Sequence, residues 1–248
     1  MKTPTLIFEA PMKRLFLVAA LALASGLSAG PAPVGVVTTL SGKVSLFAAG
    51  GSDKAGPLLL GQKLMAGDRV KTGANGRLSL VLVDGTQLKV NYNTDITLRD
   101  KDSKGKLAER GVGSIKIALG QLWAKVTKKN SRLEFETPAA VAAVKGTEPI
   151  FDVSELNSCI KLREGSLELQ ANGGSLSMGE LTMLCMQNKG VKLSPDLLEK
   201  WDGKGTFENK FASSTASSTK VEVLFGSTDD STAGKVVLEY QPKDAAGK

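Results

Sequence analysis

The chain has 248 residues, 42% hydrophobic and 23% charged, which is enough apolar side chain for one or two compact cores and too polar for a bundle of membrane helices. It contains no histidine and two cysteines, which excludes Ser-His-Asp and Cys-His nucleophiles, histidine proton shuttles, His-rich zinc sites and a zinc ribbon. Aromatic residues make up 5%, glycine occurs 27 times, and the formal net charge of +7 is spread along the chain, so the composition favours short strands with tight turns and invites an anionic partner without locating one.

Lys13 and Arg14 precede the apolar run Leu15 to Ala24, and Ser25-Gly26-Leu27-Ser28-Ala29 follows ahead of Gly30-Pro31. A charged start, a short apolar stretch and small residues are the parts of a secretory signal peptide, expected here over residues 1–29 with cleavage after Ala29. Met12 offers a second start, so export does not need residues 1–11. The apolar run falls short of the roughly 18 residues a spanning helix requires, and no cysteine follows it to carry a lipid. The expected location is periplasmic or secreted, with nothing membrane-spanning left after cleavage. In an oxidising compartment Cys159 and Cys185 are an even pair, and a disulfide is expected ahead of two separately buried thiols.

From Val34 onward the pattern is short alternating runs punctuated by glycine. Val34 to Val37, Gly42 to Phe47 and Arg77 to Leu82 read as half-buried strands of period two. Asp84-Gly85 between Leu80 to Val83 and Thr86 to Val90 predicts a two-residue hairpin of type I′, with Val81 and Leu88 facing the core. Further strands are expected at Ile96 to Leu98, Ser114 to Ile117, Leu122 to Val126, Arg132 to Glu136, Cys159 to Leu162, Ser166 to Leu169 and Leu181 to Leu184. Ser194, Pro195 and Asp196 form a helix start ahead of Leu197 to Trp201, which predicts one short helix near 194–201. The Ser/Thr tract at 212–219 reads as a linker, and 220–241 as a terminal hairpin.

The order of Gly42-Lys43-Val44, Gly61-Gln62-Lys63-Leu64, Ala66-Gly67-Asp68-Arg69-Val70-Lys71-Thr72-Gly73 and Gly76-Arg77-Leu78 leading to Val83-Asp84-Gly85-Thr86 resembles the FecR domain. The resemblance continues through Gly120-Gln121-Leu122-Trp123, Thr137 to Glu148 with its Lys145-Gly146-Thr147-Glu148 ending, and Arg163-Glu164-Gly165-Ser166-Leu167. It covers about residues 34 to 190 and implies an exported all-β domain of twisted solenoid-like or roll-like sheets, used in envelope signalling or beside wall-binding modules. The domain boundaries expected are 1–29 for the signal, 30–192 for the FecR-like β domain, 193–211 for a helix and packing extension, then the linker and the hairpin. Pro149-Ile150 departs from the family pattern and is expected at a bulge or a sheet edge.

Candidate sites carry their plainer alternatives. Lys125, Lys128, Lys129 and Arg132 are the densest basic cluster, and with Trp123 they could hold an anionic glycan or lipid headgroup; otherwise they form a solvated turn with Trp123 in the core. Glu134 and Glu136 share a strand face, a polar face before it is a hydrolytic pair. Asp100-Lys101-Asp102-Ser103-Lys104-Gly105 imitates a calcium loop but has Lys104 at the fifth position and Gly111 at the twelfth. Gly111-Val112-Gly113 lacks the third glycine and helix of a dinucleotide loop. Asp84, Gly85, Gly146 and Thr147 are expected as structural turns. The Thr137 to Glu148 block reads as a crossover where small residues let chain pass chain, or as the floor of a groove for an extended peptide or glycan.

The function expected is non-enzymatic, without cofactor or metal: an envelope protein binding a protein partner or a wall polymer, and not nucleic acid. The alternative is an envelope signalling regulator that contacts an outer-membrane receptor, and behind both stands a carboxylate-based glycan hydrolase.

Overall fold

A computed structural model describes residues 33–51, 54–100, 112–127, 133–190, 192–204, 219–225 and 234–240. The signal segment, the calcium-like loop beyond Asp100, and Lys128, Lys129 and Arg132 lie outside the described residues, as do 212–218 of the Ser/Thr linker.

The all-β expectation holds. In chain order the strands are β1 (Pro33–Ser41), β2 (Val44–Phe47), β3 (Gly56–Pro57), β4 (Lys63–Met65), β5 (Arg69–Thr72), β6 (Arg77–Leu82), β7 (Gln87–Val90), β8 (Asp95–Asp100), β9 (Val112–Lys125) and β10 (Leu133–Glu136). They continue as β11 (Val141–Val144), β12 (Pro149–Val153), β13 (Asn157–Leu162), β14 (Leu167–Ala171), β15 (Gly174–Met178), β16 (Thr182–Gln187) and β17 (Glu199–Lys200), and then β18 (Thr219–Phe225) with β19 (Gly234–Tyr240). The first seventeen form one continuous hydrogen-bonded array, while β18 and β19 make a separate antiparallel hairpin. Among the described residues no helix is long and apolar enough to cross a membrane.

The array divides into two layers that share β9. Layer A runs β4-β1-β6-β7-β9-β12-β13-β16-β17, antiparallel throughout. Layer B runs β3-β2-β5-β8-β9-β10-β11-β14-β15, with the β9–β10 pair parallel. The N-terminal half of β9 pairs with β8 and β10, and the C-terminal half, from Gly120, with β7 and β12. Gly120 makes the bend at φ 94°, and a methyl group there would meet the Thr94 Cα at 2.5 Å. The corner is latched by Thr94, whose Oγ1 accepts the Gln121 N–H at 3.0 Å, while its own N–H donates to Thr72 Oγ1 at 2.8 Å.

Alternation drives the layers together. Leu78, Leu80, Leu82, Leu88, Val90 and Leu122 of layer A and Ile96, Leu98, Ile115, Ile117 and Phe135 of layer B are buried in one core. Phe135 of β10 stacks on Phe151 of β12 with ring centroids 4.7 Å apart, a direct contact between the inner faces.

Four expectations are corrected. The helix near 194–201 is a single 3₁₀ turn, Pro195–Leu197, after which Glu199 and Lys200 pair with β16. Ser194 gives its hydroxyl to the Asp196 carboxylate at 3.1 Å and makes no cap, Leu198 is extended, and Trp201 is drawn onto layer A, so strand pairing outcompetes a three-residue helical nucleus. The Asp84-Gly85 loop is a residue longer than type I′: Gly85 N–H donates to Leu82 O and Leu82 N–H to Thr86 O, each at 2.9 Å. Of Val83, Asp84 and Gly85, Gly85 alone has positive φ, 85°, which makes a type I turn closed by a glycine bulge. The Asp84 carboxylate accepts the Thr86 N–H at 2.9 Å and so supports the turn without a left-handed backbone. The longer loop sets Leu80 opposite Leu88 and turns Val81 outward opposite Gln87. Pro149 sits at neither a bulge nor an edge; it opens β12, an internal strand, at the position where a missing N–H is tolerated.

Candidate functional site

The outward face of layer A carries the densest chemistry. Register places Lys89 beside Trp123, Trp123 beside Ile150, Ile150 beside Lys161 and Lys161 beside Met183, one row across five neighbouring strands. Trp201 completes it: its backbone N–H donates to Leu181 O at 2.8 Å, and its indole N–H to Lys204 O at 3.1 Å. Trp123, Ile150 and Trp201, with Met183, form a second small apolar cluster on the side of the sheet away from the core. Cations roof it. Lys89 Nζ lies 4.4 Å from the Trp123 ring centroid, and Lys161 Nζ and Arg163 Cζ lie 5.9 and 5.8 Å from that of Trp201.

Glu148 sits among them. Its Oε1 accepts the Trp123 indole N–H at 3.0 Å and an Arg163 N–H at 2.8 Å, and its Oε2 lies 4.0 Å from Lys125 Nζ. Two passages of chain between the layers create the position. The segment Lys145 to Glu148 climbs from β11 to β12, and Arg163 to Ser166 returns from β13 to β14. They run side by side, with Glu148 N–H donating to Glu164 O and Arg163 N–H to Glu148 O, each at 3.0 Å. Gly146, at φ 63°, and buried Thr147 form the bend of the first passage. Burial pushes the Lys89 ammonium below the usual lysine range; Glu148 opposes this and the Arg163 charge adds to it. Two cations, Arg163 and Lys125, thus stand at the Glu148 carboxylate, while Lys89 lies over Trp123 and Lys161 over Trp201.

Trp123, which the sequence offers as a sugar platform, is 8% exposed, with Lys89 on its ring and its N–H given to Glu148. Lys125 is exposed at the end of β9. Glu148, Arg163, Lys161, Lys89 and Trp201 were not singled out from sequence as members of a site. The signal for two of them was present in the Lys145 to Glu148 and Arg163-Glu164-Gly165 motifs, but only the β12–β13 register brings those together.

Cys159 and Cys185 face each other across β13 and β16 and form a disulfide with Cα atoms 4.0 Å apart. It lies on the same outward face, one row from the cation cluster. Glu134 and Glu136 do project from the same side of β10, on layer B. Glu136 is committed to Arg99 at 2.7 Å and to the Ser114 hydroxyl at 2.5 Å. On the same layer, Asp95 binds Arg69 Nη2 at 2.6 Å and Lys71 at 3.1 Å. Burial alone would raise its carboxyl, but the hydrogen bonds and charges of Arg69 and Lys71 outweigh this and hold it below the usual aspartate range. Among the described residues no three acidic or cysteine side chains converge as a metal ion would require.

Residues 68–168 match the family model described as FecR protein. The chain carries a FecR domain. The match runs from the buried Asp68, whose carboxylate receives the N–H groups of Ala49 and Met65 at 2.8 Å each, to the second strand of the β11–β14 pair. No curated protein matches the chain. Two crystal structures of a protein from Parabacteroides distasonis ATCC 8503, proposed to be an anti-sigma factor, are similar at TM-score 0.44, with 13% and 14% sequence identity. Each comparison covers 54% of this chain and 60% of that one, so the FecR-domain chain spans less than two thirds of their length.

Proposed function

We propose that the chain is a non-enzymatic FecR-domain module of the cell envelope, periplasmic or secreted, which holds a protein partner or a wall polymer on the outward face of layer A. The observation that carries this reading is the group of cations on this face, Arg163 and Lys125 at the Glu148 carboxylate, Lys89 over Trp123 and Lys161 over Trp201. Trp123 and Trp201 are covered, so contact with a ligand is made by the positive groups and favours anionic partners available in an envelope. The same arrangement argues against hydrolysis, because Glu148 and Glu136 are each bound to a cation instead of facing another acid across a cleft. The exposed disulfide supports an oxidising location.

Mature protein is to be incubated with purified wall sacculi and, separately, with envelope extract. Retention by either, reduced roughly tenfold in Lys125→Glu/Lys161→Glu, is the expected result, since two lost charge contacts of about 0.7 kcal/mol each amount to that factor. Turnover of a glycan substrate, or retention by neither, overturns the reading. The family match favours one second reading, an envelope signalling regulator, for which an envelope protein would be retained and sacculi would not.

A further inference from the structure

Among the described residues each layer has two edge strands, and three of the four are blunted. β3 is two residues long and ends in Pro57, which has no N–H to donate. β4 is three residues with exposed Lys63, and β17 is two residues, Glu199–Lys200, both charged and exposed. The fourth, β15, is five residues, Gly174-Ser175-Leu176-Ser177-Met178, with no charge, proline or bulge, and among the described residues it is paired on one side only, to β14. Such an edge is a template for another strand.

The turn before β15 fixes which backbone groups are available. Asn172 and Gly173 both have positive φ, 46° and 75°, the signature of a two-residue type I′ hairpin. In such a hairpin the flanking pair, Ala171 and Gly174, is hydrogen-bonded, and bonded pairs then alternate along the ladder. Gly174, Leu176 and Met178 therefore turn their N–H and C=O groups toward β14, while Ser175 and Ser177 turn theirs to the open edge.

We infer that β15 is a self-association edge, at which a second copy of this chain adds its own β15 antiparallel and extends layer B across a two-fold axis at Leu176. The sequence is self-complementary in that register. Ser175 of one copy exchanges both backbone hydrogen bonds with Ser177 of the other, and the symmetric pair repeats the exchange. On the inner side the two buried Leu176 side chains meet, and the small Gly174 stands opposite the bulkier Met178. On the outer side exposed hydroxyls face hydroxyls, with no like charges opposed. A partner protein recruited by its own charge pattern would leave this symmetry unused. The inference is independent of the ligand face on layer A.

The test is a charge swap read by sedimentation equilibrium of the mature protein. Wild-type chain is expected to approach twice the monomer mass as concentration rises. Ser175→Lys/Ser177→Lys and Ser175→Glu/Ser177→Glu each place like charges across the seam and are expected to stay monomeric with unchanged circular dichroism. Their equimolar mixture is expected to regain the dimer. A wild-type protein that stays monomeric throughout, a lysine variant that still dimerises, or a mixture that does not recover the dimer overturns the inference. So does a monomer whose β15 captures an extended peptide of another protein.

Discussion

Arg163 is tied to Glu148 twice, by its backbone N–H to the Glu148 carbonyl at 3.0 Å and by its guanidinium to the Glu148 carboxylate at 2.8 Å. One contact belongs to the passage of chain between the layers and the other to the outward face of layer A, so a single residue pair couples the fold to the surface that it displays.

Removing the Glu148 carboxylate leaves the buried Trp123 indole N–H and the Arg163 guanidinium without their acceptor. Glu148→Ala is expected to cost about 2 to 3 kcal/mol, a figure below that of a fully buried pair because Arg163 and Lys125 are partly exposed. Glu148→Gln retains one acceptor oxygen and should cost about half as much. Urea midpoints, with tryptophan fluorescence as the probe, measure both; equal values for the two variants would contradict this account.

Stability should fall in acid through Asp95. Arg69 and Lys71 hold its carboxyl below the usual aspartate range in the fold. A depressed folded value means that the contribution is complete above the unfolded value, roughly pH 4, and is lost as pH falls through the folded one. In Asp95→Asn the melting temperature should be lower at neutral pH and should fall less between neutral and strongly acid solution than in wild type. Added salt should shrink the difference.

Cys159 and Cys185 point out of the sheet, so serine at both positions opens no cavity in the core. The bridge spans a sequence separation of 26 residues, which in the chain-entropy model amounts to about 3.5 kcal/mol. Cys159→Ser/Cys185→Ser should keep the circular dichroism spectrum and lose about that much stability. Two alkylatable thiols in folded, exported wild-type protein would show that the bridge does not form.

Glycine substitutions should separate a bend from a turn. Gly120→Ala sets a methyl group against the Thr94 backbone at the shared strand and should cost about 3 kcal/mol or more. At Gly85 the nearest atom to such a methyl is Thr127 Oγ1 at 3.7 Å, so Gly85→Ala should cost only the left-handed backbone, about 1 kcal/mol. Gly85→Val should cost about 1 to 3 kcal/mol and Asp84→Asn almost nothing, because asparagine can still accept the Thr86 N–H. Melting temperatures rank the four variants.

Much of the strand order was legible because period-two burial writes itself into runs such as Arg77 to Leu82, where Leu78, Leu80 and Leu82 face the core. Turn type was less legible. Asp84-Gly85 looked like the type I′ signal, yet among the described residues the type I′ turn is Asn172-Gly173, where Gln170 and Ser175, the second pair from the turn, belong to a polar outer row that hides the strands. The site was only half visible. Trp123 and Lys125 stand out in a local cluster of basic residues, whereas Glu148 and Arg163 stand 15 residues apart and meet through the register of two strands, a relation that no local pattern encodes. Leu198 and Trp201 looked helical because their spacing suits a helix face as well as a sheet edge, and the pairing with β16 decides between the two.

The bent strand β9 also sets where the protein can be cut. The family match begins at Asp68 and ends at Glu168, yet β6 takes its outer neighbour from β1, β5 from β2, β13 from β16 and β14 from β15, none of which falls inside that span. Excising 68–168 would leave four internal ladders with bare edges, on both layers at once, and the spine at Gly120 would transmit the loss on one side to the other. The matched segment is thus a recognisable signature that is not expected to fold by itself, and a fragment that melts as a single cooperative species is expected to include β1 and to continue past β16.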